Sequence, residues 1–405
     1  MFVFGEDVGT PPVDALLIVL SVVLASSMMQ AAGGIDWMVS IAANLIAKRP
    51  KQITLIAPLV SFLFSVGAGT SNILYPLLPV IYDASYRNGI RPSRPLSLSV
   101  VATGVALACS PVSAAMAAMV TLTDVAPYNF ELIDIIKITL PAAVIGIVLS
   151  SVVVNRLGKD IAEDPEIQAR IASGDLAAPS GGLSRIELKA STQGRNAALI
   201  FLVGVVAIVV FGLFKGIRPD ASDGTPLGMT PIIEMIMFVV GTLILLVSRP
   251  PVADVPTMSV FRAGMVSAIA LFGLAWMTDT FISAHEELIT DTVGDLVEAA
   301  PWIFALGVFL VCVLTTSQST ATRTIVPIGL TAGLAPGLIS GMWAGAFAGV
   351  YLLPTNGSQI AAANFDESGS TKLGSKLVDH SFFLPTLILA VTTIAAGSAL
   401  GVILG

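Results

Sequence analysis

Two apolar stretches of this chain, Ile53 to Ala84 (32 residues) and Pro301 to Leu334 (34), fit neither one crossing of a bilayer nor two. At 1.5 Å per residue an upright helix needs about 20 apolar residues, and two crossings with a turn need at least about 40. Each stretch carries a polar break near its middle, Gly67-Ala68-Gly69-Thr70-Ser71-Asn72 in one and Thr315-Thr316-Ser317-Gln318-Ser319-Thr320 in the other. Prolines follow both breaks, Pro76 and Pro79 in the first case and Pro327 in the second. Irregular backbone at membrane depth survives only inside protein or beside a water-filled cavity, because each unsatisfied polar group is costly in lipid. We therefore expect two re-entrant helical hairpins.

The rest of the chain supports a membrane setting. With 55% hydrophobic and 12% charged residues and a mean hydropathy of +0.89, it has about half the charge of a soluble domain. Spanning segments are expected at Val13 to Gly34, Leu96 to Leu122, Phe130 to Val154, Asn196 to Gly216, Thr230 to Val247, Ala263 to Ser283, Gly337 to Asn364 and Ser381 to Leu404. The net charge of −7 resides in loops and gives no reason to expect a nucleic-acid partner. Cys109 and Cys312 lie inside apolar segments and read as small buried hydrophobes.

Loop charge tests the hairpins. If both enter and leave on one side, sixteen of the 20 Lys and Arg residues fall on a single face, among them Lys48, Arg49, Lys51, Arg87, Arg91, Arg94, Arg156 and Arg195. The positive-inside rule makes that face cytoplasmic. The other face carries Glu6, Asp7, Asp124, Glu131, Asp220, Asp223 and the run Glu286, Glu287, Asp291, Asp295 and Glu298. The first hairpin then opens to the cytoplasm and the second to the outside, so the two halves have opposite orientation.

A repeat is also visible in the residues. Aligning Leu78-Pro79-Val80-Ile81 with Val326-Pro327-Ile328-Gly329 places Thr70-Ser71-Asn72 against Gln318-Ser319-Thr320 without a gap. About thirty residues after each proline comes a second break, Cys109-Ser110-Pro111-Val112-Ser113 and Leu353-Pro354-Thr355-Asn356-Gly357-Ser358. Upstream, Gly34-Ile35-Asp36-Trp37 has a counterpart in Trp276-Met277-Thr278-Asp279. The expected fold is an all-α polytopic membrane protein of two inverted repeats, each with a re-entrant helical hairpin and a broken helix. Residues 1–155 form the first repeat with its hairpin at 53–84, and residues 196–405 the second with its hairpin at 301–334. Between them, residues 156–195 mix both charges with Gly, Ser and Pro, which reads as a solvated cytoplasmic linker with a short helix near Pro165 to Ser173.

Paired discontinuous helices in two repeats point to a solute site at the bilayer midplane. The candidate binding residues are Thr70, Ser71, Asn72, Ser110, Ser113, Ser317, Gln318, Ser319, Thr320, Thr355, Asn356 and Ser358. Hydroxyl and amide donors beside half-helix N-termini suit an anion, while freed carbonyls suit a cation equally well. Arg323, one turn beyond the second tip, sharpens the choice, since a charge at mid-membrane calls for an anionic partner. That partner is either a substrate carboxylate, which a guanidinium clamps bidentately, or a structural carboxylate such as Asp36 or Asp279. Asp36 and Asp279 are also candidates for ion coupling, though carboxylates near helix ends are more often solvated or capping groups. His285 and His380 lie at loop positions, and no metal-ligand spacing appears.

At these residues the chain resembles the anaerobic four-carbon dicarboxylate transporters, the Dcu family. The resemblance rests on Gln30-Ala31-Ala32-Gly33-Gly34-Ile35-Asp36, the first hairpin break through Ile81, Arg94-Pro95-Leu96 and Ala108 to Ala115. In the second half it rests on Phe261 to Met265, Ala275 to Phe281, Ser317-Gln318 and Leu353-Pro354-Thr355. It implies a multi-pass carrier of the bacterial inner membrane, in the wider ion-transporter superfamily, that exchanges fumarate, malate or aspartate for succinate in anaerobic respiration. It also implies that the protein is no enzyme and needs no cofactor. A coupling Na⁺ or proton, a carrier of another organic or inorganic anion, a second role as dicarboxylate co-sensor and homo-oligomerisation remain open. Members of the family often have lysine where Arg323 stands and some have glycine where Ser71 stands. They usually carry a further hydrophobic segment ahead of Met1, whose tail Met1-Phe2-Val3-Phe4 resembles.

Overall fold

The computed structural model describes residues 13–179, 191–221, 224, 226–270, 272–273, 277, 280–281, 284 and 299–405. Among these the chain is helical, and the only β pairing is an isolated bridge between Asp220 and Pro226. The order begins α1 (Val13–Ala31), α2 (Gly34–Ala47), α3 (Ile53–Ala68), a 3-10 helix Ser71–Leu77 and α4 (Leu78–Arg87). It continues with α5 (Ser93–Val105), a 3-10 turn Ala106–Ala108, α6 (Ala114–Thr123), α7 (Leu132–Val154) and α8 (Pro165–Ser173). Then come α9 (Thr192–Leu213), α10 (Met229–Ser248), α11 (Ser259–Ala270), α12 (Trp302–Thr315) and α13 (Gln318–Thr331). α14 (Pro336–Ala346), a 3-10 helix Phe347–Tyr351, α15 (Gly357–Phe365) and α16 (Phe383–Leu404) complete it.

By length and composition five of the described helical segments can cross a membrane: Pro50–Ala68, Leu132–Val154, Thr192–Leu213, Met229–Ser248 and Phe383–Leu404. α1 and α2 qualify together but are bent by 73° at Gly33, whose φ is +82°. Sequence reading missed α2 because Asp36, Ser40 and Asn44 interrupt its apolar run. Its signal is periodic, with Ile35, Met38, Val39, Ala42 and Ile46 buried on one face.

Both long apolar stretches fold back on themselves. The 3-10 helix 71–77 and α4 pack along α3. α12 and α13 run antiparallel, with Gly329 against Phe304 and Gly307 against Ile325. At the centre of the bundle lies α5, every residue of which is buried; small residues such as Ser97, Ser99, Ala102 and Gly104 let its neighbours approach closely. α14 is nearly as buried. It carries Gly337, Gly341 and Gly345 at four-residue spacing; Gly337 and Gly341 meet Gly401 and Gly397 on α16, Gly345 meets Ile394, and a Cβ at Gly341 would lie 2.0 Å from the Gly397 carbonyl oxygen. Without a hydrophobic driving force between helices in lipid, such backbone-to-backbone packing is the main source of cohesion. α9 and α10 are peripheral, with Val203, Val206, Val239 and Leu246 exposed on apolar faces suited to lipid.

Two polar junctions fix the ends. Glu131 forms a capping box with Asp134 at the start of α7 and receives Arg218 at 2.6 Å and Lys215 at 2.9 Å. Burial raises the Glu131 pKa, but these hydrogen bonds and charges outweigh it and hold the carboxyl below its usual range. At the other junction, α8 occupies the span expected for it, yet residues 156–179 are no free connector. Arg91 pairs with Asp164 and Arg94 with Asp160, each at 2.5 Å, and Tyr86 donates to the Ala177 carbonyl. Ile161, Ile167 and Leu176 pack with Tyr86 in a small apolar cluster. Scattered single apolar residues carried this docking, so no periodicity announced it.

Candidate functional site

At the first tip α3 ends on Gly69 in the left-handed region, φ +69°. Thr70 then takes an extended conformation and its Oγ1 accepts the Asn72 N–H at 3.2 Å. The second tip has the same construction with a different residue. Thr316 holds φ +51°, and Ser317 Oγ accepts the N–H of Thr320 at 3.2 Å and its hydroxyl at 2.9 Å. Thr315 returns its hydroxyl to Val311 O. Each break thus turns the chain with one left-handed residue and restarts helix with a side-chain cap.

The broken helices restart in the same way. Ser110 Oγ accepts the Val112 N–H, and Ser113 caps α6 through the Met116 N–H at 3.0 Å while donating to Leu107 O. Asn356 Oδ1 accepts both the Ser358 N–H and hydroxyl, at 3.0 and 2.8 Å. Gln359 completes that box, taking the Asn356 N–H and donating from Nε2 to Tyr351 O at 2.9 Å. Loop residue His380 also braces this break, its Nε2 2.9 Å from Leu352 O.

Contacts join the four breaks in a circuit. Gly69 at the first tip abuts the first broken helix so closely that a Cβ would lie 2.5 Å from Val112 O. From that broken helix α6 packs against α13 of the second hairpin. The other limb, α12, meets the second broken helix, where a Cβ at Gly349 would lie 2.5 Å from Phe309 O. α15 then packs on the 3-10 helix 71–77 and on α4, and the Tyr75 hydroxyl reaches Gly357, closing the circuit at the first hairpin.

Within this frame the expected site residues divide. Thr70, Ser113, Ser317 and Asn356 commit side-chain oxygens to capping, and Ser110, Thr320 and Ser358 are bonded within the breaks. Asn72 reaches out of its tip, donating from Nδ2 to Ser259 Oγ at 3.2 Å. Ser71, Gln318, Ser319 and Thr355 make no side-chain hydrogen bond among the described residues and are half-buried or exposed. They are the donors most available to a solute. Arg323 is buried on α13 at 2% exposure; among the described residues of the hairpins and breaks no other charged side chain is buried. Next to it Thr322 accepts the Trp343 indole N–H at 2.8 Å, tying the second hairpin to α14.

Asp36 lies on α2, a helix that packs on the 3-10 helix 71–77 of the first tip. It is exposed in the first turn of α2, near the Gly33 and Ser191 junction. Asp279, His285 and the acidic run from Glu286 to Glu298 lie outside the described residues. Sequence reading missed Gln30, Ser259, Tyr75 and Tyr351. Gln30 donates to Ser259 Oγ at 2.9 Å across 229 positions, and the buried Tyr351 stands beside Gly104, Thr103 and Ser358. No local pattern marks such pairs. Among the described residues no group of three His, Cys, Asp or Glu side chains could hold a metal ion.

Comparison with known proteins gives consistent results. The model of a family described as an anaerobic C4-dicarboxylate membrane transporter matches residues 1–405. The chain is 35% identical over 399 residues to the anaerobic C4-dicarboxylate transporter DcuB of Escherichia coli O157:H7, covering 96% of this chain and 88% of that one. It is 31% identical to the C4-dicarboxylate transporter DcuA of Wolinella succinogenes, covering 97% and 89%. Among solved structures, the Alcanivorax borkumensis YdaH transporter is similar with a TM-score of 0.59 at 14% identity, covering 94% of this chain and 84% of that one. Neisseria gonorrhoeae MtrF, of a class of antimetabolite efflux pumps, is similar with a TM-score of 0.60 at 12% identity, covering 97% and 81%. At such identities the two structures speak to fold alone, an all-helical membrane transporter architecture.

Proposed function

Since the chain belongs to the anaerobic C4-dicarboxylate membrane transporter family, we propose that it is a secondary carrier of four-carbon dicarboxylates that exchanges fumarate, malate or aspartate for succinate by alternating access. The observation that carries this reading is the circuit of four breaks. A solute enclosed by it meets the hydroxyls and amides of Ser71, Gln318, Ser319 and Thr355, the N-terminal ends of restarted helices, and the buried positive charge of Arg323. Helix N-termini and a guanidinium both favour a carboxylate. The names of the relatives, which call them C4-dicarboxylate transporters, narrow that carboxylate to a four-carbon diacid.

Residues 1–155 and 196–405 are two inverted repeats in this proposal, and 156–195 links them on the cytoplasmic side. Reciprocal packing supports the pairing: α6 of the first half sits on the second hairpin, and α15 of the second half sits on the first hairpin. The hairpins enter from opposite faces, and the unit they form with the broken helices moves against α1, α9, α10 and α11. If only the loaded unit reorients, the carrier is an antiporter and needs no cofactor.

The test is counterflow of labelled fumarate into proteoliposomes loaded with succinate, malate, aspartate or a monocarboxylate. Arg323→Gln and Asn72→Ala abolish the succinate-driven signal while the variants remain folded. Undiminished exchange in both variants overturns the site, and flux that does not require internal diacid overturns antiport.

A further inference from the structure

We infer that Gln30 and Ser259 form a donor-only wall of the substrate site, a specificity element that favours a carboxylate oxygen over any group that donates hydrogen bonds. The inference rests on the function proposed above. It begins at a backbone group that can only donate, the Val260 N–H in the first turn of α11, which is accepted by Gln30 Oε1 at 3.1 Å. That bond fixes the amide, since the reversed orientation sets two N–H donors against each other. Gln30 Nε2 is thereby turned to Ser259 Oγ, which it reaches at 2.9 Å. The same oxygen accepts Asn72 Nδ2 from the first hairpin tip at 3.2 Å.

A serine hydroxyl has two lone pairs and one proton. Both lone pairs of Ser259 receive amide donors, so only its O–H remains, and among the described residues no protein group accepts it. Ser259 is exposed, while Gln30 and Asn72 are half-buried beside it. α11 also touches α13, the helix that carries Arg323. The wall therefore stands at the first tip, on helices outside the circuit of breaks, and α11 runs on from it to touch the arginine-bearing limb. A fixed donor donates to a carboxylate oxygen and meets an ammonium or amide N–H with an unmatched donor, which is selection by a repulsive as well as an attractive element.

The decisive variants are Gln30→Glu and Ser259→Ala. A carboxylate at position 30 still accepts the Val260 N–H but also accepts the Ser259 proton, turning the hydroxyl so that a lone pair faces the substrate. Ser259→Ala removes the donor outright. Initial rates of fumarate/succinate exchange are measured in proteoliposomes across substrate concentration, with monodispersity on size exclusion to establish folding. Loss of one hydrogen bond to a charged group corresponds to a KM about tenfold higher for Ser259→Ala, with a larger rise for Gln30→Glu and kcat changed less than twofold. Unchanged KM in both variants overturns the wall, as does a fall in kcat with KM unchanged. If Gln30→Glu does not fold, Ser259→Ala decides alone. Wild-type protein that exchanges no dicarboxylate removes the function and the wall together, whereas wild-type exchange with insensitive variants removes only the wall.

Discussion

Two glycines with nearly the same backbone conformation allow the contact between the first tip and the first broken helix to be weighed. Gly69 has φ +69° and Gly89 has φ +75°, but a Cβ at Gly69 would lie 2.5 Å from Val112 O, while nothing lies within 4 Å of one at Gly89. Alanine at either position incurs the left-handed strain of an L-residue, roughly 1–2 kcal/mol. At Gly69 alone the tip and Val112 must also separate by about 0.9 Å to reach an ordinary carbon–oxygen contact of about 3.4 Å. Overpacking of this kind costs about 1–3 kcal/mol. Gly69→Ala is therefore expected to destabilise by ~2–5 kcal/mol and Gly89→Ala by ~1–2 kcal/mol. Chemical unfolding in detergent micelles reads the difference, and counterflow reads its consequence: Gly69→Ala loses most exchange and Gly89→Ala keeps it. Equal destabilisation of the two variants, or full exchange by Gly69→Ala, refutes the claim that this contact shapes the site.

Gly341→Leu places a side chain where a Cβ already lies 2.0 Å from Gly397 O, so the α14–α16 contact must open; a lower unfolding midpoint and reduced membrane yield are expected, and a wild-type midpoint contradicts the packing. Because Glu131 has a depressed pKa in the folded protein, its stabilising contribution is complete above the unfolded value of about 4.3 and is lost as pH falls through the folded value. Wild-type unfolding midpoints should drop on acidification through that window. Glu131→Gln, which leaves Arg218 buried without its carboxylate, should lower stability at neutral pH and flatten the acid dependence, whereas a parallel pH profile contradicts the assignment. Trp343→Phe removes the donor to Thr322 and should cost about 1 kcal/mol, visible as a shift in unfolding midpoint that Thr322→Val does not add to.

The breaks were legible because small polar residues inside a long apolar run have no other physical explanation in a membrane. The same feature limited what could be read from them. A hydroxyl that caps a restarted helix and a hydroxyl that binds a solute look alike in sequence, since both must follow the break; only geometry separates the caps Thr70, Ser113, Ser317 and Asn356 from the unspent Ser71, Gln318, Ser319 and Thr355. The Gln30 to Ser259 junction was illegible for another reason. It depends on α11 lying antiparallel to α1, with Gly264 against Val23, which no local periodicity encodes. Asp36 and Asp279 share a position in the repeat; Asp36 stands exposed just beyond the 73° bend at Gly33, close to Ser191, and Asp279 lies outside the described residues. Residues 156–179 read as solvated because charge dominates them, and most are exposed; their docking through Asp160 and Asp164 onto Arg94 and Arg91, and through Ile161, Ile167 and Leu176, has no periodic signal.

The central claim is that two hairpin tips from different halves of the chain enclose one dicarboxylate. In a background where the buried Cys109 and Cys312 are replaced by alanine, Ser71→Cys and Ser319→Cys are introduced separately, and thiol labelling is followed in membranes as fumarate is titrated. Protection of both positions with the same half-maximal fumarate concentration is the predicted result. Protection of only one tip, or of neither at concentrations that saturate exchange, contradicts a single shared site.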